Sequence, residues 1–267
     1  MDTQLVVICL LTAGINLIGT LAYAARIAGV RTRRIATSLA LFNVLVLFSR
    51  TANGFLGPFL ASRIETRLAD GGGDTLVTDF RLVLLAGSVA VLLGVALIPM
   101  AQRLFVFGIN DFQKHRSVIR LVLSALKPAG LRAIRASAAV PTGATLKHTG
   151  MPPGITWQVL AANALAQMLL ATGVLASLYA GYLNPEFRVT ASQLSAVING
   201  VATILLFAFI DPQVSALTDD ALDGEVSDGA FRRAIGWISM SRLAGTLLAQ
   251  AVFVPAAVLV AWLANLF

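Results

Sequence analysis

Two arginines stand where a polypeptide rarely leaves a charge. Arg50 falls inside Phe48-Ser49-Arg50-Thr51-Ala52-Asn53-Gly54-Phe55-Leu56-Gly57-Pro58, which interrupts an otherwise apolar stretch from Ile35 to Ala61. Arg242 lies in a second apolar stretch, from Ala234 to Phe267. A helix of either length crosses a bilayer, so each guanidinium is expected at membrane depth. There an arginine costs about 2.5–3.5 kcal/mol on insertion scales, and more on an isolated helix, so something must offset it. No carboxylate lies within a helical turn or two of Arg50. The chemistry that fits is capture of an anion: arginine's planar fork suits phosphate, and a diphosphate can pass between such sites. At 1.5 Å rise per residue, Arg50 lies about 22 Å beyond Ile35 and Arg242 about 12 Å beyond Ala234. With Arg26 at the end of the first apolar run, the three are expected to form a ladder of cations, provided that their faces converge.

Polar residues recur at helical spacing around these cations. The sets are Asn16, Thr20 and Tyr23; Asn43, Arg50, Asn53 and Gly57; Thr156, Asn163 and Gln167; Ser192, Ser195, Asn199 and Thr203; and Ser239, Arg242, Thr246 and Gln250. Five stripes on five helices point to a wet cavity, although singly such residues often only bond helix to helix. The candidate substrate-binding residues are Arg50, Arg242, Arg26, Asn53, Asn16, Asn43, Ser49 and Asn199. Plainer readings stand beside them: Arg242 pairs with Asp211, and Arg26 is a basic residue that snorkels to the headgroups. Catalysis has little to work with. There is no Gly-rich phosphate loop, and no His or carboxylate lies well inside a span. His115 and His148 lack metal-ligand spacing, so neither metal nor cofactor is expected. The acids from Asp211 to Asp228 leave open a membrane enzyme acting on a polyprenyl phosphate, and arginines that pair internally and line no cavity would leave a non-transporting membrane interaction protein.

The elements that must position these residues follow from composition. With 57% hydrophobic and 12% charged residues in 267, and a mean hydropathy of +0.82, the chain is an integral membrane protein. The net charge of +7 sits between apolar runs, where the positive-inside rule accounts for it, so no nucleic-acid partner is expected. Cys9 is the only cysteine and reads as packing. An all-α, polytopic single domain with six transmembrane helices is predicted, at about 5–25, 35–61, 80–106, 155–183, 189–210 and 234–267. Pro58 is expected to kink or break the second helix, with Pro99 a further kink. Residues 62–79, with Arg63, Arg67 and Gly71-Gly72-Gly73, read as a polar outer loop. Residues 107–150 read as a basic cytoplasmic segment, amphipathic around Arg116, Arg120 and Lys127, able to lie on anionic membrane lipids. Asp211 is expected to cap a separate helix that begins at Pro212. The distribution of basic residues places both termini outside.

Several stretches together resemble one family. Arg26-Ile27-Ala28-Gly29-Val30-Arg31-Thr32, Ser49-Arg50-Thr51, Leu175-Ala176-Ser177-Leu178-Tyr179-Ala180-Gly181-Tyr182 with Asn184-Pro185, and Ile210-Asp211-Pro212 with Leu217-Thr218-Asp219 are similar, in order, to the Amj family of alternate lipid II flippases of bacteria. The resemblance implies movement of the undecaprenyl-diphosphate-linked peptidoglycan precursor from the inner to the outer leaflet of the bacterial cytoplasmic (inner) membrane, and alternating access is the mode expected of such a bundle. Lipid II would be the missing anion for the arginines. Six helices enclose little space around so large a headgroup, which leaves a homodimer open.

Overall fold

The computed structural model describes residues 2–69, 71, 73–116, 150–152 and 154–267. Among them are six helical segments long and apolar enough to cross a membrane, in accord with the predicted all-helical, six-span architecture. They are α1 (Thr3–Thr32), α2 (Ile35–Ala69), α3 (Leu76–His115), α4 (Trp157–Leu183), a segment built of α5 (Arg188–Leu205) and α6 (Asp211–Asp223), and α7 (Asp228–Ala264). Local chemistry sets several ends. The Asp2 side chain accepts the Leu5 N–H, and Thr156 and Ser227 cap α4 and α7 in the same way. Gly224, at φ 84°, closes α6 in the left-handed conformation that costs glycine least.

The helices outrun the sequence expectation in several places. Pro58 lies inside a continuous α2, so the helix is not broken there. The expected outer loop shrinks, because α2 runs on to Ala69 and α3 begins at Leu76. What reads as loop charge is then helical: Arg63, Arg67 and Asp79 sit on the adjoining ends of α2 and α3. Helix α3 continues to His115, past the expected end at 106. The amphipathic helix around Arg120 and Lys127 lies outside the described residues. Asp211 does not cap a new helix either. It has αR dihedrals and follows a π-helical turn, Leu206–Ile210, that carries α5 into α6 without a break. Pro212 cannot donate to the carbonyl of Ala208, and the wider turn beside it accommodates that missing bond. Most of the expected acidic loop is helical too: Asp219, Asp220 and Asp223 belong to α6, and Asp228 to α7.

Helix directions follow from side-chain contacts. Ser38 donates to the Ala25 carbonyl and Gln4 to that of Phe59, so α1 and α2 are antiparallel. Asn16 meets Gly87 and Thr20 meets Gly94, so α1 and α3 are parallel. In the second half α5 runs antiparallel to α4, with Asn199 against Gly173 and Arg188 against Gly181. There α7 runs parallel to α4, with Asn163 bonded to the Ile238 carbonyl and Asn184 to Asn265. Each half is thus three helices in which the first packs on the other two. The halves meet chiefly along α3 and α7, which are antiparallel: Phe80 stacks edge-on against Phe253, and Gln250 donates to the Arg81 carbonyl. One half is therefore inverted relative to the other. Glycines allow the close crossings, with Gly94 of α3 against Thr20, and Gly245 of α7 against the Ala164 carbonyl.

Two apolar clusters close the bundle. At the end that holds both termini, Leu5, Ile8, Leu60, Phe80, Tyr179 and Phe253 pack together; at the other, Ile27, Leu160, Ile210, Leu217, Phe231 and Ile238 do so. The second helix of each half packs most sparsely. Helix α2 buries Ser38, Leu41 and Phe42 near one end and Leu60, Arg63 and Ile64 near the other, and nothing between. A groove of about 310 Å³ opens there, lined by α1 residues including Leu11 and Gly14 and by Phe48 and Ala52 of α2.

Candidate functional site

Helix α1 presents Gly19, Tyr23 and Arg26 on one face, each about one turn from the next, toward α4, α6 and α7. Because Gly19 has no side chain, the guanidinium of Arg242 lies against its backbone. A Cβ built there would fall 2.6 Å from Nη2 and 3.2 Å from Cζ. Tyr23 is the polar neighbour of this guanidinium and has Arg26, Asp211 and Asn163 around it as well. Arg26 Nη2 lies 3.6 Å from Asp211 Oδ1. The buried Asn163 donates from Nδ2 to the Ser241 hydroxyl at 2.7 Å and to the Ile238 carbonyl at 3.1 Å. Its Oδ1, like Nε of Arg242, is buried without a hydrogen-bond partner.

Arg242 forms no ion pair among the described residues. The pairing of Arg242 with Asp211 that the sequence left open does not form, because Asp211 is turned to Arg26. That contact also replaces the reading of Arg26 as a residue with only headgroups for company. The site thus holds two guanidinium groups and one carboxylate around a tyrosine, with an excess of positive charge. Arg242 is within about one turn of the midpoint of α7 and half-buried there, its guanidinium lodged between α7 and α1. Such a place can hold an anion with two acceptor-rich ends, for which bidentate arginine contacts are the strong form of recognition.

The other candidates are placed differently. Arg50 is near the midpoint of α2 but on an exposed face, with Asn43 and Asn53 also exposed and Ser49 partly so. It stands apart from the cluster around Tyr23, so the ladder has two rungs together and one alone. Asn16 bonds the Thr12 carbonyl and packs on Gly87; Asn199 packs on Gly173, its Oδ1 buried and unpartnered. Both lie at helix crossings within a half. Among the described residues, no three His, Cys, Asp or Glu side chains are grouped to hold a metal ion.

Sequence reasoning passed over a second ionic cluster. Arg63, 2% exposed, donates from Nε to Asp79 Oδ2 at 2.8 Å and from Nη1 to Asp2 Oδ1 at 2.8 Å, with Nη2 2.7 Å from Asp79 Oδ2. Arg67 joins at 3.7–3.8 Å. This knot ties the start of α1 to the adjoining ends of α2 and α3. The hydrogen bond from Arg63, and then that from the Leu5 N–H, hold the Asp2 carboxyl below the usual carboxylate range. The only signal in the sequence was that these charges adjoin apolar runs.

Comparison with known proteins agrees with the family resemblance. The Amj family model, described as "Alternate to MurJ", matches residues 11–264. A relative from Bacillus subtilis (strain 168), named Lipid II flippase Amj, is 35% identical over 271 residues, covering 99% of this chain and 98% of the relative. No solved structure matches. A match over nearly every helix, including those that carry Tyr23, Arg26, Asp211 and Arg242, leaves one assignment: the chain belongs to the Amj family.

Proposed function

We propose that this protein flips lipid II across the bacterial cytoplasmic membrane by alternating access, with the diphosphate held first between Arg26 and Arg242. The observation that carries the function is the full-length similarity to a relative named as a lipid II flippase. The observation that supports the site is a guanidinium inside the bundle without a carboxylate of its own, beside a second one. Tyr23 supplies an uncharged polar contact through its hydroxyl. An interaction protein would have its membrane arginines paired internally; Arg26 meets that description, whereas Arg242 has Tyr23 beside it but no carboxylate among the described residues.

The inverted halves support the mode of transport. Bundles of this kind rock one half against the other around a fixed site, and the contact of α3 with α7 is where such rocking would occur. The lone Arg50, on the sparsely packed α2, is the cation that a diphosphate would meet on leaving the inner pair. In this reading the end with Arg31, Arg33 and Arg34 faces the cytoplasm and both termini face outward.

The test is growth rescue in bacterial cells depleted of their main lipid II flippase. Wild type should rescue, while Arg242→Ala and Arg26→Ala at matched membrane levels should not; Arg50→Ala reports whether the third cation is used. Rescue by Arg242→Ala would discard the site but keep the function. Failure of correctly inserted wild type would discard both.

A further inference from the structure

We propose that Asp211 is the resident counter-anion of the cationic site, held by Arg26 while the site is empty and displaced by the substrate's diphosphate. This rests on the reading of the protein as a carrier of a diphosphate lipid. The first observation is the looseness of the pair. Arg26 approaches Asp211 at 3.6 Å, beyond hydrogen-bond length, whereas Arg63 grips Asp79 with Nε and Nη2 at 2.8 and 2.7 Å. A forked pair is the strong form, and the Arg26 pair is not one. The second is charge. Arginine cannot give up its proton, so Arg26 and Arg242 remain cations whether or not substrate is bound, and one carboxylate neutralises only part of that charge. A diphosphate offers more negative charge and more acceptor oxygens than Asp211, so exchange favours it. When the diphosphate leaves, Asp211 prevents a bare guanidinium from facing a low dielectric.

The third observation is where Asp211 sits. It directly follows the π turn Leu206–Ile210 and precedes Pro212, which interrupts the hydrogen-bond ladder. Its side chain is 45% exposed against 18% for Arg26, so the carboxylate is not packed in place and has room to swing away from the guanidinium. A π turn beside a proline lets a helix shift register locally at small cost, and such turns collect at functional sites. Release of Asp211 would thus remove the ionic contact between α6 and α1 at the moment when substrate enters, leaving the apolar packing of Ile27 on Leu217 in place. Asp211 is a positioning residue in this scheme: it acts through Arg26.

The experiment measures equilibrium binding of a polyprenyl diphosphate to the full-length protein in lipid nanodiscs, with a polyprenyl monophosphate and the corresponding alcohol as controls. Removing the resident anion in Asp211→Asn should tighten diphosphate binding about 2–5-fold, the worth of a partly exposed ion pair expressed as a ratio. In an Arg26→Gln background the same change should make no difference, because the competition is gone. A purely structural ion pair predicts the opposite: weaker binding in Asp211→Asn and a lower melting temperature. Unchanged or weaker binding in Asp211→Asn, or tightening that persists without Arg26, overturns the proposal. Should Asp211→Asn fail to insert, Asp211→Ser is read in the same way. Wild type that binds diphosphate no better than alcohol would overturn the carrier reading itself, and this proposal with it.

Discussion

Gly19 is where the smallest change in the sequence should have the largest functional consequence. Its missing side chain is the space that the Arg242 guanidinium occupies. In Gly19→Ala the new methyl would meet the mobile end of an arginine, not backbone, so the arginine shifts and the fold survives. Rescue of flippase-depleted cells is therefore expected to fall by up to about a hundredfold, the effect of a site geometry lost by roughly an ångström, with little change in melting temperature. A large loss of stability would show that this contact holds the helices together. Asp2 makes a second prediction at this scale. Its folded pKa is depressed by Arg63, so its contribution is fully present above the ordinary carboxylate value, about 3.9, and is lost as pH falls through the lower folded value. Melting temperature compared between wild type and Asp2→Asn should differ by a constant amount from neutral pH down to about 4 and converge below it. A difference that grows in acid would reverse the sign and refute the assignment.

Among the elements, the close crossings separate glycines that are needed from those that are not. Gly245 abuts the Ala164 carbonyl and Gln167 across the α4–α7 interface, where a side chain meets backbone. Gly245→Val should cost about 1–3 kcal/mol by overpacking, measurable as a lower melting temperature in detergent. Gly14 has nothing within 4 Å of a built Cβ, and faces the groove beside α2. Gly14→Ala should leave stability unchanged or raise it by about 0.5–1 kcal/mol through helix propensity. If the two substitutions behaved alike, the packing of α7 on α4 would not be as described. The sparsely packed α2 and α5 are alike in a further way: each is the second helix of its half, with few buried positions along its length. A helix that is held mainly at its ends moves at less cost than one packed throughout, so in the alternating access proposed above α2 and α5 would be the outer members that move.

For the whole molecule, two inverted halves meet along α3 and α7, and the proposed alternating access predicts motion between them. The Gln250 side chain reaches the Arg81 backbone carbonyl across that line, at 2.9 Å, near the end that holds the termini. With Cys9→Ser as background, Arg81→Cys and Gln250→Cys joined by a short thiol-reactive linker should abolish transport, and a cleavable linker should restore it on reduction. Full transport by the linked protein would exclude opening at this end. The ionic knot of Arg63, Asp2 and Asp79 lies within one half, so it should stiffen that half without hindering the rocking.

Hydropathy is a local property, so the sequence alone determined the membrane class, the six spans and the presence of arginines within them. A run such as Ile35–Ala61 must be a helix in lipid whatever its neighbours, because no other spanning form satisfies its backbone there. The family, too, was legible, since its signature is spread through the chain in order. Tertiary structure decided which faces meet. Helical periodicity gives each stripe its own azimuth but not the azimuth of the helix opposite. Arg26 and Arg242 could therefore be brought together around Tyr23, and Arg50 left on an exposed face, without any change in the pattern. The same reason hid the bonds of Arg63 to Asp2 and Asp79: they join residues distant in the chain, and the extension of α2 that buries Arg63 follows from those partners and not from local hydrophobicity. Only the packed bundle could show that Asp211, an expected helix cap, is the partner of Arg26.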